Sequence, residues 1–134
     1  MYEDSQRDMK PDLILEWLSD EGFKHEIDED GDVHFRYQGR NLYFTPDDDD
    51  TYFRIILPNI YEAEEENRYQ VLEACNAITR QYKVLKAYLT PKGNLWLSIE
   101  MFVDTTPDIG DFFERCCNIL VHGYEDMKKE IFGE

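Results

Sequence analysis

The apolar positions of this 134-residue chain change period along its length, and each change marks an element. Leu13, Ile14, Trp17 and Leu18 recur at spacings of one, three and four, the stripe of an amphipathic helix. Pro11 suits its first turn and Gly22 its stop, so a helix is predicted over 11–21, behind a polar extension at 1–10. From Ile27 the period drops to two, which places Ile27, Val33, Phe35, Tyr37, Leu42 and Phe44 on one buried face of a strand meander. Pairing Ile27 with Val33 requires an odd loop, supplied by Glu29-Asp30-Gly31. Pairing Tyr37 with Leu42 and Phe35 with Phe44 requires an even loop, assigned to Gly39-Arg40. A fourth strand is predicted over 52–57, with Phe53, Ile55 and Leu57 inward and Pro58 at its end.

Helical spacing returns over 65–82, where Val71, Leu72, Cys75, Ile78, Thr79 and Tyr82 form the stripe. Alternation at Leu85, Ala87 and Leu89, and again at Leu95, Leu97, Ile99 and Met101, predicts a hairpin turning at Pro91-Lys92-Gly93. A last helix is predicted from about Pro107 to Phe132, started by Thr106, Pro107 and Asp108. Its buried side is assigned to Ile109, Phe112, Phe113, Cys116, Leu120, Gly123, Met127 and Ile131. The order αββββαββα argues against a doubly wound parallel fold. It predicts one α+β domain over 11–134, a mainly antiparallel sheet with helices packed against it.

Charge narrows the partners. The chain carries 30 Asp and Glu against 14 Lys and Arg, net −16. Binding of nucleic acid or of an anionic membrane surface needs the opposite balance. There is no apolar run of membrane-spanning length and no cationic, apolar leader, so a cytoplasmic location is expected. The excess is uneven: residues 1–67 hold 20 acids and 6 bases, net −14, and residues 68–134 hold 10 and 8, net −2. Cys75, Cys116 and Cys117 have no metal-type spacing and are expected to be buried, reduced thiols.

Asp28, Asp30 and Asp32 invite a cation, but the calcium-loop pattern fails. Gly31 precedes the last Asp, and the position of the bidentate Glu falls on Gly39. A solvated hairpin tip is expected there. A weak divalent site is the alternative, because the register sets Asp28 opposite Asp32. The Asp47–Asp50 run reads as a charged loop that keeps a strand edge soluble. His25, His34 and His122 are not spaced as ligands and are expected to be structural or surface residues. Ser5, Ser19 and Ser98 lack a nucleophile context, phosphate-loop glycines are absent, and no pair among so many carboxylates stands out. Neither an enzyme nor a cofactor is expected.

The face of the sheet opposite the apolar stripe is more informative. Lys24, Arg36, Tyr43 and Arg54 point to it, with Arg36, Tyr43 and Arg54 expected as lateral neighbours on three strands, cation against ring. In the second hairpin Tyr88 faces Trp96 and Lys86 faces Ser98 on the same side. Arg, Tyr and Trp are the residues that anchor protein partners. Alternatively a helix or a second copy covers them, or they form cross-strand pairs and nothing more.

Three stretches carry a family resemblance: EGFKHEIDEDGDVHFRYQGRNLYF, TYFRIILP after the acidic turn, and ACNAITRQYKVLKAYLTPKGNLWLSIEMFV before the final helix. Asn76, on the helix leading into the Lys83–Lys86 strand and the Lys92-Gly93-Asn94 turn, weighs most. Over roughly residues 12–130 the chain resembles the YbjN-like bacterial family, labelled "putative sensory transduction regulators". The resemblance implies a fold similar to that of type III secretion chaperones: small, acidic, usually dimeric proteins that bind a segment of a client chain. It carries no catalytic residues. The expectation is a non-enzymatic cytosolic protein-interaction domain, chaperone-like or regulatory and homodimeric. Contact is assigned to Arg36, Tyr43, Arg54, Tyr88 and Trp96, with Asn76 second, either as a contact or as a brace for the hairpin. The alternative is a small-ligand or cation sensor built on the acidic tips at Asp28, Asp30 and Asp32.

Overall fold

The computed structural model describes residues 11–49, 51–103 and 109–133. The predicted order αββββαββα is the order found, and the six strands form one antiparallel sheet. The elements are α1 (Pro11–Asp20), β1 (His25–Ile27), β2 (Val33–Tyr37), β3 (Arg40–Phe44), β4 (Tyr52–Leu57), α2 (Arg68–Gln81), β5 (Leu85–Leu89), β6 (Leu95–Phe102) and α3 (Ile109–Phe132). The sheet order is β1-β2-β3-β4-β6-β5, so β6 lies between β4 and β5. The expected start signal at Thr106, Pro107 and Asp108, the 1–10 extension and the side chain of Ile109 lie outside the described residues.

Each helix ends or begins for a local reason. After α1 the chain turns at Gly22, with φ +83°, and the Phe23 N–H reaches back to the Leu18 carbonyl at 2.8 Å. That is the six-to-one bond of a glycine-terminated helix. A 3-10 turn over Glu65–Asn67 precedes α2, which therefore starts later than its periodicity suggested. Asn67 Oδ1 accepts the Glu64 N–H at 2.8 Å in this lead-in.

One face of the sheet meets all three helices. Val33, Phe35, Leu42, Phe44, Phe53, Ile55, Leu95, Leu97 and Ile99 pack there against Ile14, Trp17 and Leu18 of α1, Val71, Ala74, Cys75 and Ile78 of α2, and Phe113, Cys117, Leu120 and Met127 of α3. At Gly123 an added Cβ would lie 2.6 Å from Leu85 Cδ2, so the missing side chain lets α3 approach β5 and β6 closely. The α2 helix also guards a sheet edge. Thr79 Oγ1 accepts the Ala87 N–H at 3.0 Å, occupying a donor of edge strand β5 that another chain could otherwise pair with. The three thiols are buried and free, as expected. Burial pushes Cys75 up to about 11 and Cys116 up to about 12, which keeps them protonated and unreactive.

Parity along the strands is as predicted, but two registers, β2–β3 and β3–β4, and three burials differ. Val33 pairs with Phe44 and Phe35 with Leu42, a shift of two residues from the expected pairing. The turn is Gln38-Gly39, with φ +49° and +78°, rather than Gly39-Arg40. Positive φ at both central residues is the type I′ pattern, whose twist matches that of the flanking strands. Gln is an uncommon residue in that conformation, and this hid the turn. A shift of two preserves which face each side chain occupies, so the core is unchanged, but every lateral neighbour on the outer face changes. Ile27 faces Val33 as predicted yet is 57% exposed, because β1 has only three residues and forms the edge beyond the reach of the helices. Leu72 and Thr79 are exposed as well, and Ala74 joins Val71, Cys75 and Ile78 in the buried stripe of α2.

Candidate functional site on the open sheet face

Among the described residues no helix covers the other face of the sheet. Tyr52, Arg54 and Ile56 of β4, Trp96 and Glu100 of β6, and Lys86 and Tyr88 of β5 line an open trough there, about 630 Å³ in volume. Asp32, Thr45, Pro46 and Asp47 form its rim on the β2–β3 side. The β4–β6 pairing explains the arrangement: Arg54 sits opposite Glu100 and Ile56 opposite Ser98. The β5–β6 hairpin adds Lys86 opposite Ser98 and Tyr88 opposite Trp96, as the alternation predicted. Ile56 and Ser98 are buried even though they point away from the core, because longer side chains overhang them. They are the floor.

Glu100 organises the trough. Its carboxylate accepts hydrogen bonds from the Tyr52 hydroxyl at 2.6 Å, the Ser98 hydroxyl at 2.8 Å and the Lys86 ammonium at 3.1 Å, with Arg54 Nε at 3.9 Å. Burial by itself pushes this carboxyl up. The hydrogen bonds from Tyr52, Ser98 and Lys86, together with the charge of Lys86, outweigh burial and hold it at about 2. The partner phenol moves the other way: burial and the bond to Glu100 push Tyr52 up to about 12. Lys86 also lies 5.6 Å from the centre of the Tyr88 ring, and Arg54 Nη2 is 3.5 Å from the Tyr88 hydroxyl. The Tyr88 and Trp96 rings stand 6.3 Å apart at 49°, and Trp96 Nε1 donates to Asn59 Oδ1 at 3.2 Å.

Of the residues assigned from sequence, Arg54, Tyr88 and Trp96 meet in this trough. Arg36, Tyr43 and Asn76 do not. The β2–β3 shift sets Tyr43 opposite His34 rather than Arg36, and the β3–β4 pairing, also two residues from the expected one, sets it opposite Ile56 rather than Arg54. Tyr43 stacks on His34 at 4.8 Å, and His34 Nε2 and Asn41 Oδ1 are 3.0 Å apart. Arg36 pairs across to Asn41 and donates to the Gly39 carbonyl at 2.9 Å. Asn76 is exposed on α2, in the layer on the opposite side of the sheet. The sequence alternation places Lys86 on this face without assigning it to contact, and it does not mark Tyr52 or Glu100 as site residues. The alternation on β6 puts Glu100 on the outer face, but its role depends on the non-sequential β4–β6 pairing.

Asp28, Asp30 and Asp32 do come together, with carboxylate oxygens within 4.8 Å of one another. Asp28 Oδ1 accepts the backbone N–H groups of Asp30 and Asp32 at 2.9 and 3.0 Å, the bonding of a tight acidic turn. Burial, followed by repulsion from Asp28 and Asp30, raises Asp32 above the usual carboxylate range. His25 is half-buried, with Nδ1 3.2 Å from the Phe23 carbonyl, and His122 is exposed.

The model of the YbjN family, described as "Putative bacterial sensory transduction regulator", matches residues 10–110. No curated protein matches the sequence. Among solved structures, an uncharacterized protein from Methanothermobacter thermautotrophicus is similar at TM-score 0.68 and 16% identity, covering 91% of this chain and 96% of that one. YbjN from E. coli, titled a putative transcription regulator, is similar at TM-score 0.67 and 13% identity, covering 88% of each chain. The Yersinia pestis type III secretion chaperone SycH, solved in complex with a stable fragment of YscM2, is similar at TM-score 0.58 and 14% identity, covering 87% of this chain and 97% of that one. At these identities the likeness is one of fold.

Proposed function

Because the chain belongs to the YbjN family, we propose that it is a non-enzymatic protein-interaction domain, regulatory or chaperone-like, whose open sheet face holds a segment of a partner protein. One observation carries this reading. Among the described residues the helices cover a single face of the sheet, and the other face has a trough in which Arg54, Tyr88 and Trp96 converge. These are the residue types that concentrate binding energy at interfaces. The chaperone similar to it in fold binds a protein fragment, which supports the same class of occupant. The titration of the trough also favours binding over catalysis. A general acid or base works best near the operating pH, whereas Glu100 lies at about 2 and Tyr52 at about 12. The reading includes self-association and a cytoplasmic location. Among the described residues no helix is long and apolar enough to cross a membrane. Self-association predicts a sedimenting species of twice the 16.0 kDa chain.

Affinity capture from the native cytosol tests the trough. Replacing Arg54 and Trp96 together by Ala is expected to leave the circular dichroism spectrum intact and to lower capture of the partner at least about tenfold, the effect of losing 1.4 kcal/mol or more. Equal capture by the wild type and the double variant would place the contact elsewhere.

The convergence of Asp28, Asp30 and Asp32 favours a second reading, a cation sensor. The two separate on a simple titration. A cation at a hundred times its dissociation constant stabilises a protein by about 2.7 kcal/mol, several degrees in Tm for a domain of this size. On the protein-interaction reading, millimolar calcium leaves Tm unchanged.

A further inference from the structure

The two ends of the trough differ in charge, and this defines its occupant more closely. At the β5–β6 end two cations, Arg54 and Lys86, share the single carboxylate of Glu100. Tyr52, Ser98 and Lys86 already occupy that carboxylate with bonds of 2.6 to 3.1 Å. Arg54 is left at 3.9 Å from Glu100 and 3.5 Å from the Tyr88 hydroxyl, both too long for a strong hydrogen bond. Its side chain is only 29% exposed. A planar fork of donors thus faces the trough without a short side-chain partner among the described residues, in a corner with one positive charge in surplus. The tilted Tyr88 and Trp96 rings stand beside it.

At the β2–β3 end the sign reverses. Asp32 and Asp47 line the trough, and neither forms an ion pair among the described residues. The carboxylates of Asp28 and Asp30 stand next to Asp32. A wholly basic segment would be drawn in by the net charge of −16 but would set cations against Arg54 and Lys86. A wholly acidic one would meet Asp32 and Asp47.

We infer that the trough recognises a dipolar peptide segment, with a carboxylate side chain paired to Arg54, an aromatic or apolar neighbour against Tyr88 and Trp96, and a Lys or Arg at the Asp32–Asp47 end. This rests on the reading of the open face as the protein-binding surface. The span between the two charges follows from the sheet. Asp32 flanks β2 and Arg54 lies on β4, two inter-strand steps or about 10 Å apart. An extended segment crosses that distance in about three residues. A planar carboxylate matches the guanidinium fork bidentately, so Asp or Glu fits Arg54 where a neutral amide does not.

A displayed library of random dodecapeptides, panned on the full-length protein and counter-screened on the folded Arg54→Ala and Trp96→Ala variants, tests this. The expected winners carry Asp or Glu beside an aromatic residue, with Lys or Arg about three positions away. Their affinity falls about tenfold or more when the acid is changed to its amide or when Arg54 is replaced. Panning on Arg54→Glu is expected to exchange the selected acid for a base. Peptides that need Arg54 and Trp96 but show no acidic preference would overturn the dipolar assignment and leave the binding face standing. No enrichment, or peptides that bind all the variants equally, would overturn both.

Discussion

Phe113→Ala is expected to cost about 3–5 kcal/mol of stability, read as a lowered urea midpoint with an unchanged slope. Phe113 is fully buried and is the hub of an aromatic cluster that joins the helices to the sheet. Its ring lies 5.1 Å from Trp17 of α1, 5.6 Å from Phe35 of β2 and 6.3 Å from Phe53 of β4. Truncation removes the transfer energy of the ring and leaves a cavity that three elements would have to close together. A domain of this size is stable by about 5–15 kcal/mol in total, so the variant sits at the edge of folding. The loss also reaches the trough, because Phe53 stands on β4 between Tyr52 and Arg54. Phe102→Ala is the control. That ring is 75% exposed, and its removal is expected to change stability by no more than about 0.5 kcal/mol.

Glu100→Gln is expected to destabilise the fold by about 2 kcal/mol at pH 7, with a signature in acid. The wild-type carboxyl is held at about 2 against an ordinary value of 4.5. A group lowered on folding contributes its full stabilisation above its unfolded pKa and loses it as pH falls toward its folded one. The full shift would correspond to about 3 kcal/mol, and solvent reaching the open side of the trough reduces it. The gap between wild type and variant should therefore be constant from pH 7 to about pH 5 and close between about pH 4.5 and pH 2. The comparison must be made as a difference, because the other carboxylates titrate in the same window. Paired urea melts across that range check it. A gap that persists undiminished at pH 2 would mean that Glu100 stabilises by packing rather than by its charge. The variant also leaves Arg54 and Lys86 without their shared counter-charge, so partner binding is expected to fall with it.

Side-chain parity was legible from sequence because it depends on a period of two, and alternation from Val33 to Phe44 survives any even error in register. That is why the core, the element order and the convergence of Tyr88 with Trp96 were foreseen while the neighbours of Tyr43 were not. On the β2 side the difference came from Gln38, which adopts a left-handed conformation without the composition that usually marks it, and on the β4 side from the β3–β4 register, which sets Tyr43 opposite Ile56. Exposure of Ile27 was hidden for a different reason: coverage depends on how far the helices extend over the sheet, and no residue near β1 encodes that. Glu100 was one acid among 30 until β6 was set beside β4, a long-range pairing that places it opposite Arg54. The acidic composition excluded partners without suggesting one. What defines the candidate site is the small set of cations and rings gathered on the uncovered face, bordered at the β2–β3 end by Asp32 and Asp47.

The most direct test of that face is site-specific photocrosslinking in cells, with a benzophenone amino acid at position 96 in the trough or at position 69 on the exposed side of α2. The proposed binding face predicts a discrete covalent adduct with another protein from position 96. That adduct should be lost when Arg54 is changed to Ala, with no equivalent from position 69. Adducts formed from position 69 alone, or from position 96 regardless of Arg54, would contradict it.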